Sequence, residues 1–215
     1  MVGTFSPVKE LFLDTDGESS LRTLVSMTCK ETSSRVLHVL MEKYKLLEHL
    51  TALRRYLLLG QGDFIRHLMD LLEPELSVAG TELLPYSLPS ILDAAVRVTT
   101  AQFESPQVLQ RLSTRIIQPM PGDIGWDVFS LSYDLDGPLA AVVTPDVHLQ
   151  YQQLFCTLWR AKRMDRALTR MTQELLRAHR QLAAFPELGE VFHQLHMLTA
   201  HMAHFSTQLN YYLSF

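Results

Sequence analysis

Apolar residues recur at three- and four-residue steps from Ser34 onward, at Val36, Leu37, Leu40, Tyr44, Leu47, Leu50, Leu53 and Leu57. That spacing lays them along one helix face and predicts one long helix, ending at Gly60, where a glycine can take the left-handed backbone of a helix C-terminus. Asp63 can then accept amide hydrogen bonds as the N-cap of a second helix. The apolar stripe of that helix is Phe64, Ile65, Leu68, Leu71 and Leu72, its opposite face carries Asp63, Arg66, His67 and Asp70, and Pro74 is expected to stop it. Gly80, Pro85 and Pro89 turn the chain. A helix capped by Ser90 is expected over "SILDAAVRVTTAQF", and a shorter one from Ser105-Pro106 through Ile117.

Only "WDVFSLSYDLDGPLAAVVTPD" looks extended. Its loose alternation, with a turn at Asp136-Gly137, predicts a hairpin in which "LAAVVT" is the partner strand. After Pro145-Asp146 a long helix should run from about Val147 past Leu182, with Leu149, Leu154, Leu158 and Trp159 inward and Arg160, Lys162, Arg163 and Arg166 mostly outward. A last helix follows Phe185-Pro186. There Val191, Leu195, Leu198, Met202, Phe205, Leu209 and Tyr212 keep helical spacing to the terminus without a stop signal, as in a piece of a fold whose further helices would cover them. Residues 1–34 show no sustained period and read as a loosely ordered leader; residues 35–215 read as the helical domain. The expected class is all-α, an array of long helices with one short β-hairpin insertion, forming a truncated lobe of a larger helical domain.

Composition narrows the function classes. Of 215 residues, 47% are hydrophobic and 20% charged, the balance of a folding chain. With 19 basic against 23 acidic side chains the net charge is -4, which offers a phosphate backbone no attraction, so no nucleic-acid partner is expected. No stretch approaches the ~18 uninterrupted apolar residues of a membrane span, and the opening lacks the basic-then-apolar order of a secretory signal. The chain is therefore expected to be soluble and intracellular, without a membrane partner. Cys29 and Cys156 stand alone, which argues against a zinc site or a disulfide framework.

Four features invite a chemical reading. Gly60-Gln61-Gly62 lacks the third glycine of a dinucleotide fingerprint and the Gly-Lys-Ser/Thr of a phosphate loop, so it reads as a break between helices. His193 and His196, like His201 and His204, lie one turn apart and could hold a metal if a third ligand joined. No H-E-x-x-H accompanies them, and the polar side of a helix explains the same letters. Asp63, Arg66, His67 and Asp70 could serve acid-base chemistry, but they equally make one-turn surface pairs worth about 0.3–0.5 kcal/mol. "WRAKRMDR" has a basic face without the glycine-aromatic signature of an RNA binder. No catalytic residue, cofactor or metal is expected, and the chain is not expected to be an enzyme.

The segments "RRYLLLGQGDFIRHLMDLLEPEL", "GDIGWDVFSLSYDLDGPLAAVVTPD", "LFCTLWRAKRMD" and "YYLSF" resemble the C-terminal, gamma-tubulin-binding domain of gamma-tubulin complex components, in the same order and with similar spacing from about Arg35 to Phe215. The resemblance implies a helical scaffold rather than a catalyst. In that family the C-terminal domain holds gamma-tubulin while N-terminal domains pack side by side, presenting a template for microtubule nucleation. Gamma-tubulin and other complex components are the implied partners, and the implied place is the cytoplasm and cytoskeleton, at a centrosome or spindle pole. Nucleotide would belong to the tubulin. The polar stripe Gln61, Asp63, Arg66, His67 and Asp70 is the candidate gamma-tubulin contact, because it is charged, lies off the core period and adjoins a tight turn. Two other readings stay open: a truncated helical adaptor that no longer binds tubulin, and a metal-dependent enzyme using His193, His196 and a carboxylate.

Overall fold

A computed structural model describes residues 17–181 and 189–213. Expectations on residues 1–16, on Leu182, on Phe185-Pro186 and on Phe215 lie outside the described residues. The chain forms two compact units, Met1–Leu46 and Leu47–Phe215.

In the first unit, α1 (Gly17–Glu42) occupies the second half of the expected leader, so residues 17–34 are helical. No proline interrupts it, Arg35 pairs with Glu31 one turn away at 2.6 Å, and the Thr28 hydroxyl donates to the Leu24 carbonyl. Leu21, Leu24, Val25 and Met27 are all exposed and form no buried stripe, and periodicity gave no sign of this first half of the helix, while Val36 and Leu37 of the expected stripe are exposed as well. The single long helix expected up to Gly60 is broken. The amides of Lys43 and Tyr44 both donate to the Val39 carbonyl and Lys45 takes a φ of 48°, so α1 closes without glycine or proline while Tyr44 and Leu47 keep the apolar spacing across the gap.

The second unit continues from α2 (Leu46–Tyr56) through α3 (Gly62–Leu76) and α4 (Leu88–Val98) to a 3-10 turn at Thr100–Phe103, a short α5 (Pro106–Leu109) and β1 (Leu112–Ile116). Then come α6 (Gly125–Val128), β2 (Phe129–Tyr133), a 3-10 turn at Gly137–Ala141, α7 (Pro145–Gln181) and α8 (Gly189–Leu213). The left-handed residue after α2 is Leu59, at φ 55°, and not Gly60. Gly60 serves close approach instead: its amide donates to the Arg54 carbonyl, and a Cβ there would stand 3.0 Å from that oxygen. α3 begins with Gln61 at the N-cap, leaving Asp63 in its first turn, and runs through Pro74 to Leu76. So near the end of the helix Pro74 forfeits one amide bond to the preceding turn and leaves few others to disturb. α4 likewise starts earlier than expected, after Ser87.

The expected helix from Ser105 to Ile117 stops after one turn, and its second half is β1. This strand pairs antiparallel with β2, Leu112 opposite Tyr133 and Ile116 opposite Phe129. The sheet is therefore built with an upstream strand, not with "LAAVVT". All five β2 residues are buried, and Leu139 and Val143 from the expected partner strand turn into the core from the 3-10 turn and the residues after it. Pro138 in that stretch also lacks the amide a ladder needs. Among the described residues the fold is nonetheless mostly helical, with one short two-stranded sheet.

The core gathers Leu53 and Tyr56 of α2, Leu57 in the turn after it, Phe64, Leu68 and Leu72 of α3, and Phe129 and Leu131 of β2 around Phe155 and Trp159 of α7. Phe155 stacks on Trp159 at 5.5 Å, Phe129 lies 5.1 Å from the same ring, and Tyr56 meets Phe64 edge-on at 5.1 Å. Leu149 and Leu154, expected inward, are exposed because the buried face of α7 follows Phe155 and Trp159. α8 packs on α7 through small polar residues, with Thr199 and Ser206 buried, so the stripe from Val191 to Tyr212 faces outward, Phe205 at 69% exposure.

Candidate interaction groove

The polar face of α3 looks across a groove of about 1220 Å³ toward α7, with Thr99, Thr100 and Gln102 as a third wall. Amphipathicity puts it there. Phe64, Ile65, Leu68 and Leu72 pull one side of α3 into the core, which leaves residues 63, 66, 67 and 70 on the other. α7 likewise buries Phe155, Trp159 and Leu168 and brings Lys162, Asp165, Arg166 and Arg170 to the groove.

The stripe residues meet different fates. The Gln61 side-chain amide donates to the Thr100 hydroxyl. Asp63 accepts from the Thr100 hydroxyl at 2.6 Å and from its backbone amide at 3.0 Å, and these bonds hold its carboxyl below the ordinary carboxylate value. Asp70 pairs with Arg166. Arg66, exposed, and His67, half-buried, have no hydrogen-bond or ionic partner among the described residues. Four of the five candidates thus line one groove, and Gln61 adjoins it through Thr100.

Sequence reading missed the residues that complete the groove. Glu73 accepts from Arg166 Nη2 at 2.9 Å and from Arg170, and the Arg166 hydrogen bond is the main cause holding its carboxyl below the usual range. Thr100 ties α3 to the end of α4. A signal for Glu73 existed, since it lies one turn beyond Asp70 on the same polar side, but its partners are more than 90 residues downstream. The basic face of α7 is less outward than expected. Arg163 lies over the Trp126 ring at 5.3 Å, Arg160 is 3.6 Å from Asp127, and Arg166 bridges two acids.

The glycine-flanked turn offers no cradle: Gln61 and Asp63 are both turned to Thr100. His193, His196, His201 and His204 are exposed along α8, and no group of three His, Cys, Asp or Glu side chains among the described residues could hold a metal ion. No helix among the described residues is long and apolar enough to cross a membrane.

The groove lies between packed helices, with Asp63 and Asp70 engaged internally and Arg66, His67, Lys162 and the Asp165 carboxylate without partners among the described residues, in a mostly helical module. The chain belongs to the gamma tubulin complex component C-terminal family, whose model matches residues 46–215. It is 48% identical over 210 residues to gamma-tubulin complex component 3 homolog of Xenopus laevis and to gamma-tubulin complex component 3 of Homo sapiens, in each case over 98% of this chain and 23% of the relative. It is 34% identical to spindle pole body component 98 of Dictyostelium discoideum, over 91% of this chain and 24% of that protein. The chain thus spans about a quarter of the length of these relatives.

Proposed function

We propose that the chain is a gamma-tubulin-binding scaffold segment of a complex that nucleates microtubules at a microtubule-organising centre, a centrosome or spindle pole. The observation that carries the reading is the family match over residues 46–215, which contains both walls of the groove. Residues 35–215 act as part of the C-terminal tubulin-binding domain, and other complex components are the further partners. The contribution is positional: a mount that fixes the pose of its guest offsets part of the translational and rotational freedom lost when several tubulins align. Such a role makes and breaks no covalent bond.

Within the stripe, Arg66 and His67 meet gamma-tubulin, while Gln61, Asp63 and Asp70 shape the groove through Thr100 and Arg166. Arg66→Glu with His67→Glu tests the assignment. Pull-down of purified gamma-tubulin is expected to fall several-fold against wild type, with the helical circular-dichroism signal unchanged. Undiminished capture by a folded double variant would place the contact elsewhere.

A further inference from the structure

The outward stripe of α8 keeps a stricter period than a helix in a globular core requires. Val191, Leu195, Leu198, Met202, Phe205, Leu209 and Tyr212 follow one another by alternating steps of four and three, a 3.5-residue repeat sustained over three heptads. A seam of that period is matched by another helix. Leu195, Met202 and Leu209 take the a positions and the other four the d positions. All seven are exposed, from 40% at Leu209 to 77% at Tyr212. The neighbouring e positions Thr199 and Ser206 are the ones buried against α7, with the Thr199 hydroxyl 3.8 Å from Met171 Sδ, so the seam points away from that helix. Taking about 150–250 Å² for a whole aromatic side chain and somewhat less for an aliphatic one, these exposed fractions leave roughly 700 Å² of seam in water. Two such seams together reach the about 1,200–2,000 Å² of a stable interface.

Charge decides which helix fits. No Asp, Glu, Lys or Arg occurs from Val191 to Leu213, and the g positions are Gln194, His201 and Gln208. Heptad helices select foreign partners through charged e and g residues, which this one lacks, and a copy of itself brings no like-charge repulsion. Size then sets the direction. Parallel copies would stack Phe205 on Phe205 and Tyr212 on Tyr212 at one end and Val191 on Val191 at the other. Antiparallel copies set Leu195 against Tyr212, Leu198 against Leu209 and Met202 against Phe205, each layer twice, so that every aromatic meets an aliphatic. We propose that α8 pairs antiparallel with α8 of a second copy of this chain, forming an isologous dimer along the seam. No α8 residue is among the described lining of the groove, so the pairing is independent of the gamma-tubulin reading.

Sedimentation velocity of the chain alone tests it. Wild type is expected to move from the monomer to the dimer boundary as its concentration rises through the micromolar range. Leu198→Glu and Leu209→Lys, each at an exposed position, should both stay at the monomer boundary with the helical circular-dichroism signal unchanged, because pairing would bury the new charge against an apolar side chain. Mixed in equal amounts, the two variants should regain the dimer boundary. Antiparallel pairing sets the new carboxylate against the new ammonium group, and parallel pairing does not. A monomeric wild type at every concentration would overturn the proposal and leave the seam to a helix of another polypeptide. Dimers that persist in both single variants, or a mixture that stays monomeric, would overturn it as well.

Discussion

At Gly125 the chain passes the end of α3 so closely that an added Cβ would stand 2.8 Å from both the Cα and the carbonyl oxygen of Leu76. Backbone cannot yield as a flexible side chain does, so Gly125→Ala is expected to cost about 1–3 kcal/mol, seen as a lower urea midpoint with an unchanged slope. The hydrogen bond of 2.6 Å between His49 Nδ1 and the Tyr133 hydroxyl is another single-residue tie, buried between α2 and β2, and burial pushes the Tyr133 hydroxyl well above its ordinary range. Such pairs are not legible in sequence. Trp159, Phe64 and Leu68 could be placed in the core from their own neighbours, because helical spacing is local. The partners of Asp63, His49 and Glu73 lie 37 to 97 residues away, and nothing in the letters marks them.

Among elements, the ion-pair cluster of Asp70, Glu73, Arg166 and Arg170 clasps α3 to α7 across the groove. Because the Glu73 carboxyl is held below its ordinary value of 4.5, the folded chain favours its ionised form. Its stabilising contribution is complete above the unfolded value and disappears as pH falls through the lower folded one. The protection of α3 amides, exchange rates taken relative to the intrinsic rate at each pH, is therefore expected to fall on acidification below about pH 4.5, and Glu73→Gln should lower that protection at neutral pH and flatten its acid response. Equal pH responses of the two chains would remove the clasp from the account. Elements with a long single-sided stripe, α3 and α7, were readable from spacing, with errors at their ends. The mixed stretch from Ser105 was not: β1 is set by its pairing with a wholly buried β2, and no local pattern in "LSTRI" specifies that neighbour.

For the whole molecule, the family match over residues 46–215 covers both walls of the groove, and the proposed scaffold role rests on that match. The groove itself was only half visible, because α3 displayed its stripe while the opposing wall on α7 read as a solvated basic face. The most direct test of the scaffold reading is sedimentation velocity of the chain mixed with purified gamma-tubulin at micromolar concentration. The account predicts a boundary faster than that of either component, with no change in the nucleotide present. Two independent boundaries at every mixing ratio would contradict it.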